Sequence, residues 1–404
     1  MVRVVVTTER DEHERRVALT PETVAKLTDR GHEVFIETGS GQRAGFADDD
    51  YLASGGVVSN LADVVGSGGL VTMVRGLQPN HADQELWSLL NRSHVLIGLH
   101  DPLWRPEDAA KLAATGATVF ALELVPRITR AQSMDVLSSM ATVVGYEAAL
   151  TAASRLPKML PLMMTAAGTI PAARIVVLGA GVAGLQAIAT SRRLGAIVDG
   201  FDIREAAREQ IRSIGARAIE IDLDAGQTED SGGYAREQTE AIAHRQNELL
   251  TPFVAEADAV ITAASVPGAV SPELLTTSMV EAMKPGSIIV DLGAERGGNC
   301  RLSQADREVV HAGVTILGPT DLASRAPATS SRLFASNVAT FIDHLAPDGD
   351  LQIDRDDEIT AETLVSIGGD VVNPRVLERL GAVRRVSPLD AENEEAAANG
   401  RREL

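Results

Sequence analysis

Residues 174–204 constrain this chain more than any other stretch. They open Arg-Ile-Val-Val-Leu-Gly-Ala-Gly-Val-Ala-Gly and close Ile-Val-Asp-Gly-Phe-Asp-Ile-Arg. The β-branched run over 175–178 predicts a buried parallel strand. Gly179, Gly181 and Gly184 follow at the GxGxxG spacing, a helix is expected over 183–194, and a second strand over 197–201 ends on Asp202. A strand, a glycine turn, a helix and a strand-end acid together form a dinucleotide-binding βαβ fingerprint. Gly179 permits the tight turn, Gly181 has no Cβ to keep a pyrophosphate off the backbone, and Gly184 lets helix and strand pack closely. The turn residues Ala180, Val182 and Ala183 would lie along the same phosphate path. The helix N-terminus offers unpaired N–H groups and partial positive charge. Asp202 lies 18 residues past Gly184. Its carboxylate can accept from both ribose hydroxyls and repel a 2′-phosphate, so NAD(H) is expected over NADP(H). Ile203 and Arg204 extend the site; a nearby Arg points the other way, because it can accept a 2′-phosphate.

At 404 residues there is room for two or three domains. A net charge of −19 argues against nucleic acid as a partner and against adsorption to an anionic membrane surface. The single Cys300 excludes an intrachain disulfide and fits a reducing cytoplasm. No secretory signal pattern opens the chain. Residues 175–191 carry no charge over 17 positions and come nearest to a membrane span, but the stretch is short and broken by glycine. No insertion into a membrane is expected. Zinc-spaced His or Cys pairs, a P-loop and a GxSxG elbow are all missing from the sequence, so no metal site is expected.

Strands alternate with helices along the whole chain. Strands are expected near 2–6, 33–36, 70–74, 94–99 and 118–122. Helices are expected over 21–30, with Thr20 as N-cap and Pro21 first, and over 106–115. A second alternating series has strands near 175, 197, 218, 257, 288 and 314, with a helix over 236–256. This pattern predicts two doubly wound, Rossmann-like parallel-sheet domains of α/β class. A long helix of small and apolar residues from 135 to 155 would join them. The expected domains are 1–134 with 321–384, and 135–320, with a disordered tail over 385–404. A helix is expected over 337–345.

Several segments carry a family resemblance. Arg16-Val-Ala-Leu-Thr-Pro21, the Gly39-Ser40-Gly41 turn and the βαβ unit resemble the alanine dehydrogenase and transhydrogenase superfamily. The run Val125-Pro-Arg-Ile-Thr-Arg-Ala-Gln-Ser-Met-Asp-Val-Leu-Ser-Ser139 is similar to the NAD(H)-binding component of proton-translocating NAD(P) transhydrogenase. So are Met164-Thr-Ala-Ala-Gly-Thr-Ile-Pro171, Gly232-Gly-Tyr-Ala-Arg236, Gly297-Gly-Asn-Cys300, and Thr320-Asp-Leu322 with Ser324-Arg325. The likeness covers nearly all of residues 1–376.

The resemblance implies a set of roles. Arg127 and Asp135 would hold the carboxamide and ribose side of bound NAD(H). Gln132 would reach NADP(H) carried by a partner domain, and Ser138 would touch the dihydronicotinamide side. Tyr234, flanked by glycines, would sit on a loop folding over the nucleotide. Ala264, Pro267 and Gly268 after one strand, and Glu295 and Gly297 after the next, would line the carboxyl edge of the sheet, where ligands bind. The resemblance further implies a homodimer, membrane-spanning partner chains that couple hydride transfer to proton flow, and a cytoplasmic, peripheral location. Direct hydride transfer suits such residues: it needs two C4 atoms held roughly 3–3.5 Å apart in a dry site, not a general base.

Arg127 and Asp135 also fit an ordinary ion pair at a helix start, and the Tyr234 segment a plain surface loop. Two other functions share the residues. An amino-acid dehydrogenase of the alanine type would use an Arg, a Lys, a His and an Asp; Arg16 and His100 match, but Arg75 stands at the lysine and Glu295 beside Arg296 at the aspartate. A non-catalytic NAD(H)-binding paralogue would keep the fingerprint alone. Its support is the departure of Ala264-Ser-Val-Pro-Gly-Ala-Val-Ser-Pro272 from the transhydrogenase pattern.

Overall fold

The computed structural model describes residues 1–66, 68–77, 84–221 and 240–386. The chain divides into two compact units: Met1–Val136 with Ser331–Leu404, and Leu137–Ser330. The divisions fall at 136/137 and 330/331, where the sequence suggested 134/135 and 320/321.

The first unit opens with six strands: β1 (Arg3–Val6), β2 (Glu33–Glu37), β3 (Val57–Ser59), β4 (Gly69–Arg75), β5 (His94–Leu99) and β6 (Thr118–Ala121). All six pair in parallel. Val4, Val5, Val6, Leu70 and Val71 are wholly buried, as strands covered on both faces require. The first helix, Pro21–Asp29, begins where Pro21 predicts. Thr20 has the extended N-cap backbone but gives no side-chain cap; its hydroxyl pairs with that of Thr23 at 3.1 Å instead.

The second unit contains a hairpin, β7 (Met163–Thr165) and β8 (Gly168–Ile170), then β9 (Arg174–Leu178), β10 (Ile197–Phe201), β11 (Arg217–Ala218), β12 (Ala259–Thr262), β13 (Ile288–Asp291), β14 (Glu308–His311) and β15 (Val314–Leu317). The main sheet runs β11-β10-β9-β12-β13-β15-β14, parallel except for the β14 edge. The chain leaves β9 toward one edge and returns through β12 on the other side. That places the topological switch point between β9 and β12. Two apolar layers cover the sheet, one around Ile175, Val177, Ile261 and Val290, the other around Val176, Leu178, Val260 and Ile289.

The chain then adds β16 (Leu364–Ile367) and β17 (Asp370–Val371) to the first sheet. Its order is β17-β16-β6-β5-β4-β1-β2-β3, with β16 antiparallel to β6. Neither the hairpin nor the antiparallel edges were expected. Each is two to four residues long, too short for a period-2 pattern to show.

Three helices differ from expectation. The helix expected over 337–345 starts ten residues earlier and spans Pro327–Leu345. Its Ser330 and Ser331 look like loop residues but are fully buried, and the Ser330 hydroxyl donates to the Ala323 carbonyl. The last helix, Pro374–Val386, extends two residues into the segment expected as a tail; the rest of that segment lies outside the described residues. The long helix Val136–Arg155, not residues 175–191, is the described stretch whose length and composition match a membrane span. Its Ala148, Ala149 and Ala152 are wholly buried in the core of the second unit. A Cβ on Gly145 in this helix would lie 2.1 Å from the Ala183 carbonyl oxygen, so the glycine lets two backbones touch.

Candidate dinucleotide-binding site

The glycine turn leaves the carboxyl end of β9 at the switch point. Gly179 has φ +96°, and a Cβ there would lie 2.8 Å from backbone atoms of Ala263 and Ala264. Both facts require glycine. Gly184 is tighter: its Cβ would stand 1.9 Å from the Gly179 carbonyl oxygen. Gly181 is the opposite case. Its backbone is extended at φ −72° and ψ −169°, and a Cβ would meet nothing within 4 Å. Turn geometry and packing therefore account for Gly179 and Gly184 but not for Gly181. The open space there is the cradle a pyrophosphate would need. The helix Val182–Arg193 starts at this cradle with no acidic residue in its first turn to offset its N-terminal charge. Val182 is exposed at the rim and Ala183 is half-buried.

Asp202 follows β10 and is buried. Its Oδ2 accepts from the Ala180 N–H at 2.8 Å, which ties the acid to the glycine turn. The Arg204 N–H and Nε–H donate to Oδ1, each at 2.9 Å, and Nη2 donates to Oδ2 at 2.9 Å. The sequence suggested a carboxylate open to ribose hydroxyls. Instead it is filled by its own neighbours, and the Ala180 N–H is committed to it. Ile203 is half-buried between the two partners.

Two loops close the carboxyl edge beyond β12 and β13. Asn299 ties them: its Oδ1 accepts from the Ala264 N–H at 3.2 Å, and its Nδ2 donates to the Ala264 carbonyl at 2.9 Å and the Pro272 carbonyl at 2.8 Å. Asp291, fully buried at the end of β13, accepts from the Thr262 hydroxyl at 2.8 Å and from the N–H groups of Gly293, Asn299 and Cys300 at 2.9, 3.1 and 2.9 Å. Neither Asp291 nor Asn299 was selected as a site residue from the sequence. A strand-end acid followed by Gly-Gly-Asn was the available signal. Pro267 and Gly268 are half-buried in the first loop, while Glu295 and Gly297 are exposed in the second, held close by Ser271 N–H donating to the Arg296 carbonyl at 2.8 Å.

Of the residues implied by resemblance, Arg127, Gln132 and Asp135 belong to the first unit and Ser138 to the second. Gln132 is exposed on the short 3-10 helix Thr129–Met134. That helix is pinned within its unit by Arg130 to Asp357 at 2.6 Å and by Asn337 Nδ2 donating to the Ser133 carbonyl at 2.7 Å. Tyr234 lies outside the described residues.

The first unit buries its own charged cluster. Glu14 takes Arg16 in a two-point pair, with Nε at 2.7 Å and Nη2 at 2.5 Å, and Arg75 Nη1 meets Asp11 at 3.0 Å. Burial works to raise the Glu14 carboxyl, yet its bonds to Arg16 and the Arg16 charge hold it below the usual value. Burial, with Glu14 nearby, pushes Glu9 up to about 7. Burial pushes His100 down to about 4, and its two ring nitrogens have no hydrogen-bond partner among the described residues. Arg16 is therefore not an open carboxylate receptor in this structure.

Residues 5–144 match the model of the alanine dehydrogenase/PNT N-terminal domain, and residues 148–374 that of the corresponding C-terminal domain. The chain is 40% identical over 377 residues to the first segment of the split NAD(P) transhydrogenase subunit alpha of Rhodospirillum rubrum, covering 92% of this chain and 98% of that one. This chain belongs to the NAD(P) transhydrogenase alpha-subunit family. The Rickettsia prowazekii member is 37% identical, covering 95% of this chain and 99% of its own. A solved transhydrogenase from Sinorhizobium meliloti superposes with TM-score 0.79 at 39% identity, covering 92% of this chain and 99% of that one. An L-alanine dehydrogenase structure superposes with TM-score 0.77 at 26% identity, covering 94% and 99%. The transhydrogenase alpha subunits and the alanine dehydrogenase thus share this two-unit fold, and the oxidoreductase family name comes from the former.

Proposed function

We propose that this chain binds NAD(H) in its second unit and passes a hydride directly between NADH and NADP held on a separate NADP(H)-binding domain. The observation that carries this reading is the Gly181 cradle: an open glycine at the switch point, bordered by a helix N-terminus and a buried acid, with no structural need for glycine. The nicotinamide, when bound, supplies the hydride. The chain supplies position. Backbone N–H groups of residues 182–184 meet the pyrophosphate, Asp202 and its neighbours meet the adenosine ribose, and the loops tied by Asn299 shape the edge through Ala264, Pro267, Gly268, Glu295 and Gly297. Arg127, Asp135 and Ser138 orient the nicotinamide side, and Gln132 serves the hydride acceptor. Membrane-spanning partner chains couple the step to proton translocation, with this chain as a homodimer peripheral to the cytoplasmic face.

The Glu14–Arg16 pair favours this reading over an alanine-type dehydrogenase. A guanidinium engaged at two points by a buried carboxylate has little left for a substrate carboxylate, and Arg75 does not cycle as an acid–base group. The test mixes the chain with an NADP-binding domain from a relative and follows hydride transfer from NADH to an NADP analogue. Transfer is expected, slowed in Gln132→Asn with NADH affinity nearly intact. Brisk NADH formation from NAD and L-alanine would overturn it, and NADH binding without turnover would leave a non-catalytic nucleotide-binding module.

A further inference from the structure

Asp202 receives four hydrogen bonds from its own chain, two from backbone N–H groups of Ala180 and Arg204 and two from the Arg204 guanidinium. A carboxylate offers about four lone-pair directions, so this one is full. The pair is also electrically neutral. A neutral Asp–Arg couple does not repel a 2′-phosphate as a bare carboxylate would. The Arg204 side chain is 19% exposed and that of Asp202 only 7%, so the cation is the more accessible partner. Arg is the side chain whose planar fork matches a phosphate at two points.

Resting on the NAD(H) reading of this site, we propose that Arg204 is a specificity-determining residue. Its guanidinium is a 2′-phosphate receptor kept engaged by Asp202. Asp202 then excludes a 2′-phosphorylated nucleotide in two ways: by its charge, and by holding the fork that would bind the phosphate. The two backbone N–H groups hold Asp202 whether or not the guanidinium is there. Removing the guanidinium opens two directions on the carboxylate for ribose hydroxyls. Removing the carboxylate releases the guanidinium toward a phosphate.

The experiment measures dissociation constants for NADH and NADPH by nicotinamide fluorescence in the full chain, with circular dichroism and melting to check folding. Asp202→Ser is expected to tighten NADPH binding at least tenfold, with a steeper salt dependence, and Asp202→Ser with Arg204→Ala is expected to lose the gain. Asp202→Asn provides a second route, since an amide cannot receive the fork at two points. Arg204→Ala alone is expected to leave NADH affinity within about threefold of the wild type or tighter, and to weaken NADPH further. The proposal is overturned if NADPH binding does not improve in either folded Asp202 variant, or if the gain survives loss of Arg204. If the folded wild type binds neither nucleotide, the site reading itself fails. If it binds NADH but shows no Arg204-dependent gain, only the specificity role fails.

Discussion

Gly181 and Gly184 lie three residues apart, yet the same added methyl group is expected to do opposite things at them. At Gly181 a Cβ meets nothing within 4 Å, and the backbone at φ −72° is open to alanine. Less freedom in the unfolded chain stabilises Gly181→Ala by roughly 0.4–1 kcal/mol. The poorer N-cap costs about as much. Stability therefore changes by less than about 1 kcal/mol. The methyl group, however, stands where the pyrophosphate approaches. Losing one charge-assisted backbone bond there costs about 1.5–3 kcal/mol, roughly 10- to 150-fold in the NADH dissociation constant. At Gly184 the Cβ would sit 1.9 Å from a backbone oxygen that has no flexible end to yield. Overpacking of that kind costs about 1–3 kcal/mol. For a unit of this size that is roughly 2–12 °C in melting temperature. NADH titration by fluorescence and calorimetric melting separate the two effects. If Gly181→Ala bound NADH as tightly as the wild type while melting normally, the cradle would not be the pyrophosphate site.

Asp291→Asn keeps the size of the side chain but turns one of its acceptors into a donor among four inward-pointing donors. A loss on the order of 3 kcal/mol in the stability of the second unit is expected by denaturant titration, and a change under about 1 kcal/mol would mean the Asp291 network does not hold the edge loops. Burial pushes Glu123 up to about 8, and its Oε2 has no partner among the described residues. A carboxyl raised above its ordinary value ionises first in the unfolded chain. The first unit is therefore expected to lose stability as pH rises from about 4.5 to about 8. Glu123→Gln should flatten melting temperature against pH over that window, leaving the smaller arm from Glu9; an unchanged slope would refute the assignment. His100, pushed down to about 4, contributes the reverse arm: its stabilising neutrality is lost as pH falls from 6.5 toward 4.

Much of this protein was legible in the sequence because turns are local. The spacing of Gly179, Gly181 and Gly184 reflects backbone constraints within six residues, and strand, turn, helix and strand follow in order at the expected places. Buried parallel strands announce themselves as unbroken β-branched runs, so β1, β4, β5, β9 and β10 were found within a residue or two. Short antiparallel edges were not, since two to four residues carry no readable period. The long helix Val136–Arg155 reads as apolar enough to span a bilayer, and only its packing in the second unit shows that its alanines form a core. Partners far apart in sequence were likewise invisible. Asn299 reaches Ala264 across 35 residues and Asp291 reaches Thr262 across 29, and residue type alone does not say which polar side chain will face which backbone group. Asp202 shows the division most clearly. The sequence determined that an acid ends the second strand of a dinucleotide fold. Only the folded chain decided that Ala180 and Arg204 already fill it, because a carboxylate's free valence depends on every donor brought within about 3 Å, and that is a property of three-dimensional neighbours.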